Sequence, residues 1–388
     1  MRDLVIPFAR MPLRAASLLA ALAISPCAAA ATAPCDLAAE DARQAGPGCA
    51  QAWMDANLRI NDIQVIGTHN SYKQPMAPEV LAAHRLRDPA GADSLDYGHR
   101  PLAEQLDRGV RGLELDIFHD PQGGRYTHPS LAAEQRQAMR APGFKVMHLS
   151  DIDYRSSCQP FAECLRIVRA WSLAHPRHLP IVILINAKDG PAAPGAVSPL
   201  PFDAVAFDAL DAEIRSVFPA GSLIEPRQLQ GDKPSVRHAI RTDGWPTLAN
   251  ARGRVLFVLD EAPAKVALYQ STRADNSAMF VNSPTESDDD AAYLTLNDPL
   301  KEPARIAAAV DNGYLIRTRA DADTWEARRN DTRRREAAFA SGAQIVSTDY
   351  IEPERRFSDY QVRLQDGAVG RCNPRRAADK CAGLAIEE

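Results

Sequence analysis

Eight short apolar segments, each carrying polar or charged residues near or just past its end and most of them followed by a helix-patterned stretch, constrain this chain more than any other feature. They are residues 63–67 (IQVIG), 112–118 (GLELDIF), 144–149 (FKVMHL), 179–186 (LPIVILIN), 254–260 (RVLFVLD), 278–282 (AMFVN), 314–319 (YLIRTR) and 343–349 (AQIVSTD). Continuous apolar runs of this length suit strands covered on both faces. Between them, residues 161–176 (FAECLRIVRAWSLAHP), 202–218 and 303–313 place apolar side chains at helical spacing and stop at proline or glycine. TWEARRNDTRRREAAFASG reads as one long helix with its arginines on the wet face. The alternation predicts an α/β fold, a single (β/α)8 TIM-type barrel. An open doubly wound sheet would need a glycine-rich phosphate turn after its first strand, and GTHNSY (67–72) is not one.

The N-terminus reads as an export signal. Arg2, Arg10 and Arg14 precede AASLLAALAI, which is short for a bilayer span, and small residues follow, with cleavage expected near Ala31 or Ala33. The expected organisation is a signal peptide over 1–33, an extension over 34–60, the barrel over 61–360 and a tail over 361–388 with a local disulfide. Removing the leader leaves six cysteines, an even number that fits a secreted or periplasmic chain with disulfides. Six cysteines allow 15 pairings, of which Cys35–Cys49, Cys158–Cys164 and Cys372–Cys381 are the simplest. A net charge of −5 gives no polyanion-binding signature, so nucleic acid is not an expected partner. No segment after the leader is long and apolar enough for a transmembrane helix, and the sequence leaves the oligomeric state open.

Chemistry in such barrels collects at the C-terminal strand ends. Glu114 and Asp116 stand two apart on one strand and therefore share a face. Turned inward they would repel, and a divalent cation with hard oxygen ligands, Ca²⁺ or Mg²⁺, would relieve that; two acids on a solvated edge strand is the plainer explanation. Asn70 can add a neutral oxygen. His69 and His148 each end an apolar strand, and two imidazoles flanking one phosphate can serve as general base and general acid. Either histidine alone is more simply a core or surface residue. Arg317 and Arg319 share a face and match phosphate oxygens, but an interior ion pair to Asp349 or Asp260 would look the same, and Lys188 has the same ambiguity.

GTHNSY, GLELDIF, KVMHLSDID, IVILINAKDG, YLIRTRADADT and GAQIVSTDY, in this order over residues 61–350, together resemble the secreted bacterial Ca²⁺-dependent phosphoinositide-specific phospholipase C family. The resemblance implies a peripheral enzyme acting on a phospholipid at a membrane surface. It implies that His69 takes a proton from the inositol 2-hydroxyl as that oxygen attacks phosphorus, and that His148 protonates the diacylglycerol oxygen. It implies Ca²⁺ held by Asn70, Glu114, Asp116 and the residue at Asn186, with Lys188, Arg317, Arg319 and Asp349 around the substrate. One departure is visible: the family expects an acid where Asn186 stands, so cation affinity is expected to fall with the lost charge.

Two alternatives remain at this level. A glycerophosphodiester phosphodiesterase shares the barrel and the ELD pair, but its first strand usually ends in His-Arg rather than His-Asn-Ser. A non-catalytic lipid- or phosphate-binding barrel would fit the change at Asn186, against the retention of both histidines. Headgroup recognition falls to loops 73–100 and 187–253, and Trp245 is a candidate for insertion into a membrane.

Overall fold

Strand runs that are apolar at every position need cover on both faces, and the computed structural model gives it to them. It describes residues 1, 34–192, 196–273 and 276–387. The chain divides into a leading segment, Met1–Pro34, and one compact unit, Cys35–Glu388. The expected signal peptide lies outside the described residues.

The strands are β1 (Ile63–Thr68), β2 (Val110–Phe118), β3 (Lys145–Val146), β4 (Ile181–Ala187), β5 (Val255–Leu259), β6 (Met279–Val281), β7 (Tyr293–Thr295), β8 (Leu315–Arg319), β9 (Ile345–Thr348) and β10 (Gly370–Cys372). Eight run parallel in the order β6-β5-β4-β2-β1-β9-β8-β7. The two ends of that order meet through a single parallel bridge, Asn282 to Tyr293, so the barrel is nearly closed. Helices fill most of the crossovers, among them Phe161–Ala174, Ala204–Val217 and Pro303–Asp311.

One expected stave is wrong. The segment at 144–149 contributes only β3, which pairs antiparallel with the end of β2 and lies off the barrel. The eighth stave is instead β7, three residues too short to leave a periodic signal. The arginine-rich stretch is also two helices rather than one, Trp325–Arg329 and Arg333–Ala340, with Asn330 between them in the left-handed region at φ 52°.

Side-chain parity shows which residues reach the barrel interior. Leu113, Leu115 and Ile117 of β2 and Ile183 and Ile185 of β4 pack with Leu165, Val168 and Phe207 of the surrounding helices. The alternate residues Val182 and Leu184 pack with Val65, Leu256, Val258 and Ile345. Glu114 sits opposite Leu184 in the parallel register, so it shares that second face, as does Asp116 opposite Asn186. Gly67 and Gly112 allow β1 and β2 to close on β9: a Cβ added at Gly67 would fall 2.9 Å from the Ile345 side chain, and one at Gly112 2.7 Å from it.

All three disulfides join the nearest cysteines, Cys35–Cys49, Cys158–Cys164 and Cys372–Cys381. The last one anchors the tail, whose strand β10 pairs antiparallel with β1. Trp245 does not suit the membrane role expected of it, because it is fully buried and donates its indole N–H to Gly313 O. No helix among the described residues is long and apolar enough to cross a membrane.

Candidate active site

The end of β1 turns sharply because Asn70 adopts a left-handed conformation, φ 49°, which asparagine tolerates better than most residues. Ser71 then ties the turn to β2: its N–H donates to Glu114 O at 2.9 Å, and its hydroxyl accepts from Glu114 N at 2.8 Å. This holds His69 beside the inward face of β2. Its Nε2 lies 3.9 Å from Glu114 Oε1. Its Nδ1 lies 2.8 Å from Asp349 Oδ1, just beyond β9, and 3.1 Å from the Tyr97 hydroxyl.

Asp349 is buried and also accepts from Arg319 at 2.9 Å. Burial alone would raise its carboxyl pKa, but Arg319 and His69 outweigh that and hold it well below the usual carboxylate range. Asp349 was expected among the substrate-binding groups; the structure instead turns it to His69 and Arg319. Asp321, behind it, accepts from Asp349 N at 2.8 Å and is pushed up to about 7 by burial and by the Asp349 charge.

His148 lies just past β3, in a tight bend where Leu149 and Asp153 exchange backbone hydrogen bonds. Its Nδ1 is 2.9 Å from Asp153 Oδ2. Both imidazoles are therefore fixed through Nδ1 by a buried carboxylate, which leaves Nε2 of each outside that contact. His148, Asn186 and Lys188 line a cleft of ≈ 530 Å³ together with Phe118, Glu261 and Lys265.

The inward pair Glu114 and Asp116 is present, but its repulsion is already relieved by side chains. Arg317 lies 2.5 Å from Glu114 Oε2, and Lys188 Nζ lies 2.8 Å from Asp116 Oδ2. Burial lowers the Lys188 pKa, but the charge and hydrogen bond of Asp116 together with the charges of Glu114 and Glu261 outweigh it, leaving it above its ordinary value. Asn186 donates its amide N–H to Glu114 Oε1 at 2.9 Å, and Asn70 donates to the Tyr97 hydroxyl at 2.9 Å. Among the described residues no group of three or more His, Cys, Asp and Glu side chains stands ready for a metal. The donor types still fit a hard cation: two carboxylates and two amides, carried by β2, β4 and the turn after β1. Binding one would require Arg317 and Lys188 to give up their partners.

Other polar strand ends have partners within the fold. Asn282 accepts from Thr295 N and so stitches β6 to β7. Glu261 accepts from Ala187 N and, with Asp189, pairs with Lys265. Asp260 is pushed up to about 6 by burial. His119 stacks on Phe144 with ring centres 5.3 Å apart. Lys73, Tyr97, Asp153 and Asp321 carry no signal in the sequence that singles them out, since nothing in a linear pattern says which side chains meet.

The family model for "Phosphoinositide phospholipase C, Ca2+-dependent" matches residues 58–374. The chain belongs to that family. The phospholipase C family is one of phosphodiesterases, and this chain is an enzyme of that class. Among solved structures, the calcium-dependent phosphoinositol-specific phospholipase C from a Gram-negative Pseudomonas sp, in its myoinositol complex, is similar at 17% identity and TM-score 0.52, over 81% of this chain and 96% of that one. A Ca²⁺-dependent phosphatidylinositol-specific phospholipase C from Streptomyces antibioticus is similar at 20% identity and TM-score 0.50, over 75% of this chain and 95% of that one. At these identities the two structures support the barrel fold. No curated protein matches this chain.

Proposed function

We propose that this phospholipase C acts on phosphatidylinositol at a membrane surface, outside the cytoplasm, by intramolecular attack. The observation that carries the reading is the pair of imidazoles, each fixed through Nδ1 to a buried aspartate at the mouth of one barrel. His69 Nε2 takes the proton of the inositol 2-hydroxyl as its oxygen bonds to phosphorus. The bond from phosphorus to the diacylglycerol oxygen breaks, and His148 gives that oxygen a proton. The products are a cyclic inositol phosphate and diacylglycerol. Water then opens the ring with the two roles reversed.

Charge on the phosphoryl oxygens has local partners in Lys188 and Arg317, which guanidinium and ammonium geometry suits. Arg319 acts at one remove, through Asp349. When bound, Ca²⁺ held by Asn70, Glu114, Asp116 and Asn186 supplies Lewis-acid charge at the phosphate. Three disulfides fit an oxidising compartment, in keeping with secretion or the periplasm.

The test is substrate choice. Purified enzyme should release inositol phosphate from phosphatidylinositol vesicles and leave glycerophosphocholine intact. Cleavage of glycerophosphocholine alone would transfer the assignment to the glycerophosphodiesterases.

A further inference from the structure

The two histidines share a deeper symmetry. Behind His69, the carboxylate of Asp349 is backed by the cation of Arg319. Behind His148, the carboxylate of Asp153 is backed by the ammonium of Lys73, 3.0 Å away, with both side chains wholly buried. Lys73 Nζ also donates to Leu95 O and Tyr97 O, each at 3.0 Å, which fixes the ammonium beside Asp153. Backbone contacts clamp the arrangement: Lys73 bridges to Ser156, Ser157 N donates to Tyr72 O at 2.8 Å, and Gln74 N donates to Arg155 O.

A carboxylate sealed from water and left without a cation takes up a proton rather than stay charged. A neutral Asp153 would no longer be the charged acceptor that holds the Nδ1 proton of His148 and fixes its ring. We infer that Lys73 is a positioning residue for the general acid, acting through Asp153 on His148, and that it lies too deep to touch substrate. The sequence consequence is specific. The stretch 67–73, GTHNSYK, supplies the base at His69 and, four residues on, the group that readies the acid on a different segment. The inference rests on the two-histidine reading above.

The experiment compares two leaving groups. Diacylglycerol is a poor leaving alcohol and needs protonation; a nitrophenyl ester of inositol 1-phosphate leaves without it. In Asp153→Asn, which preserves shape, and in Lys73→Met, turnover of phosphatidylinositol should fall by about 10²-fold or more, the scale of general acid catalysis, while the nitrophenyl ester loses less than about tenfold on the same scale. Equal losses on both substrates, or no loss on either, would overturn the inference. If Lys73→Met does not fold, Lys73→Gln, which also removes the cation, takes its place. The ¹⁵N resonances of His148 give an independent readout: in the wild type Nδ1 carries a hydrogen-bonded proton, and Asp153→Asn should remove that signature. A wild type inactive on both substrates would sink the function assigned above, whereas unchanged His148 resonances in the variant would sink this inference alone.

Discussion

His69 and Asp349 meet at 2.8 Å across the ends of β1 and β9, neighbouring staves that 280 residues of chain separate. The contact selects one tautomer of His69, with the proton on Nδ1 and the Nε2 lone pair available to accept another. Asp349→Asn keeps the shape and loses that selection. It is expected to lower kcat on phosphatidylinositol by about 10²- to 10⁴-fold, on the precedent of carboxylates that hold a catalytic histidine, with little change in KM. Steady-state kinetics on variant protein of native circular dichroism checks this. Retention of more than half the activity would remove Asp349 from the mechanism.

Arg317 and Glu114 form a buried pair, with guanidinium and carboxylate almost inaccessible to solvent. Arg317→Met leaves Glu114 buried without its guanidinium partner, a change that typically costs roughly 3–5 kcal/mol. A urea melt of the variant should show that loss. Added Ca²⁺ should recover part of it, because a cation that binds only the folded state stabilises it. Wild type should gain less from Ca²⁺, since its own arginine must first be displaced.

Asn186 is where the expected acid is missing. Asn186→Asp places a third carboxylate beside Glu114 and Asp116 in a position where Asn186 now donates a hydrogen bond. Calorimetric titration should show Ca²⁺ affinity rising by about tenfold, which is about 1.4 kcal/mol. Unchanged affinity would take Asn186 out of the ligand set.

The outer staves and the site were legible to different degrees. β1, β2, β4, β5, β6, β8 and β9 announced themselves as apolar runs, and parity alone brought Glu114 and Asp116 to one face. β7 was not legible, because three residues closed onto β6 by one bridge carry no period. The candidate catalytic histidines could be picked from strand ends. Their partners could not: Asp153 is five residues from His148 and Asp349 is 280 from His69, and only the fold shows that both make the same contact.

His178 offers a pH test away from the site. It is buried, bonded to Ser172 Oγ at 2.8 Å and to Leu179 O, and burial lowers its pKa to about 4. The unfolded chain, with an ordinary value near 6.5, then binds the extra proton first as pH falls. Stability from this group is present above about pH 6.5 and is lost between about 6.5 and 4. Asp211, pushed up to about 6 by burial, acts in the opposite sense over an overlapping range. The informative quantity is therefore the difference between wild type and His178→Gln. The advantage of wild type should shrink by on the order of 3 kcal/mol across that window. A constant difference would show that His178 is not held neutral by the fold.

The central claim, attack by the inositol 2-hydroxyl between two histidines, is tested most directly by ³¹P NMR of phosphatidylinositol vesicles with enzyme, at several Ca²⁺ concentrations. The account predicts that a cyclic inositol phosphate resonance rises first and gives way to the acyclic monophosphate, and that His69→Ala and His148→Ala abolish both. A monophosphate that forms with no cyclic species before it, or a His69→Ala protein as active as wild type, would contradict it.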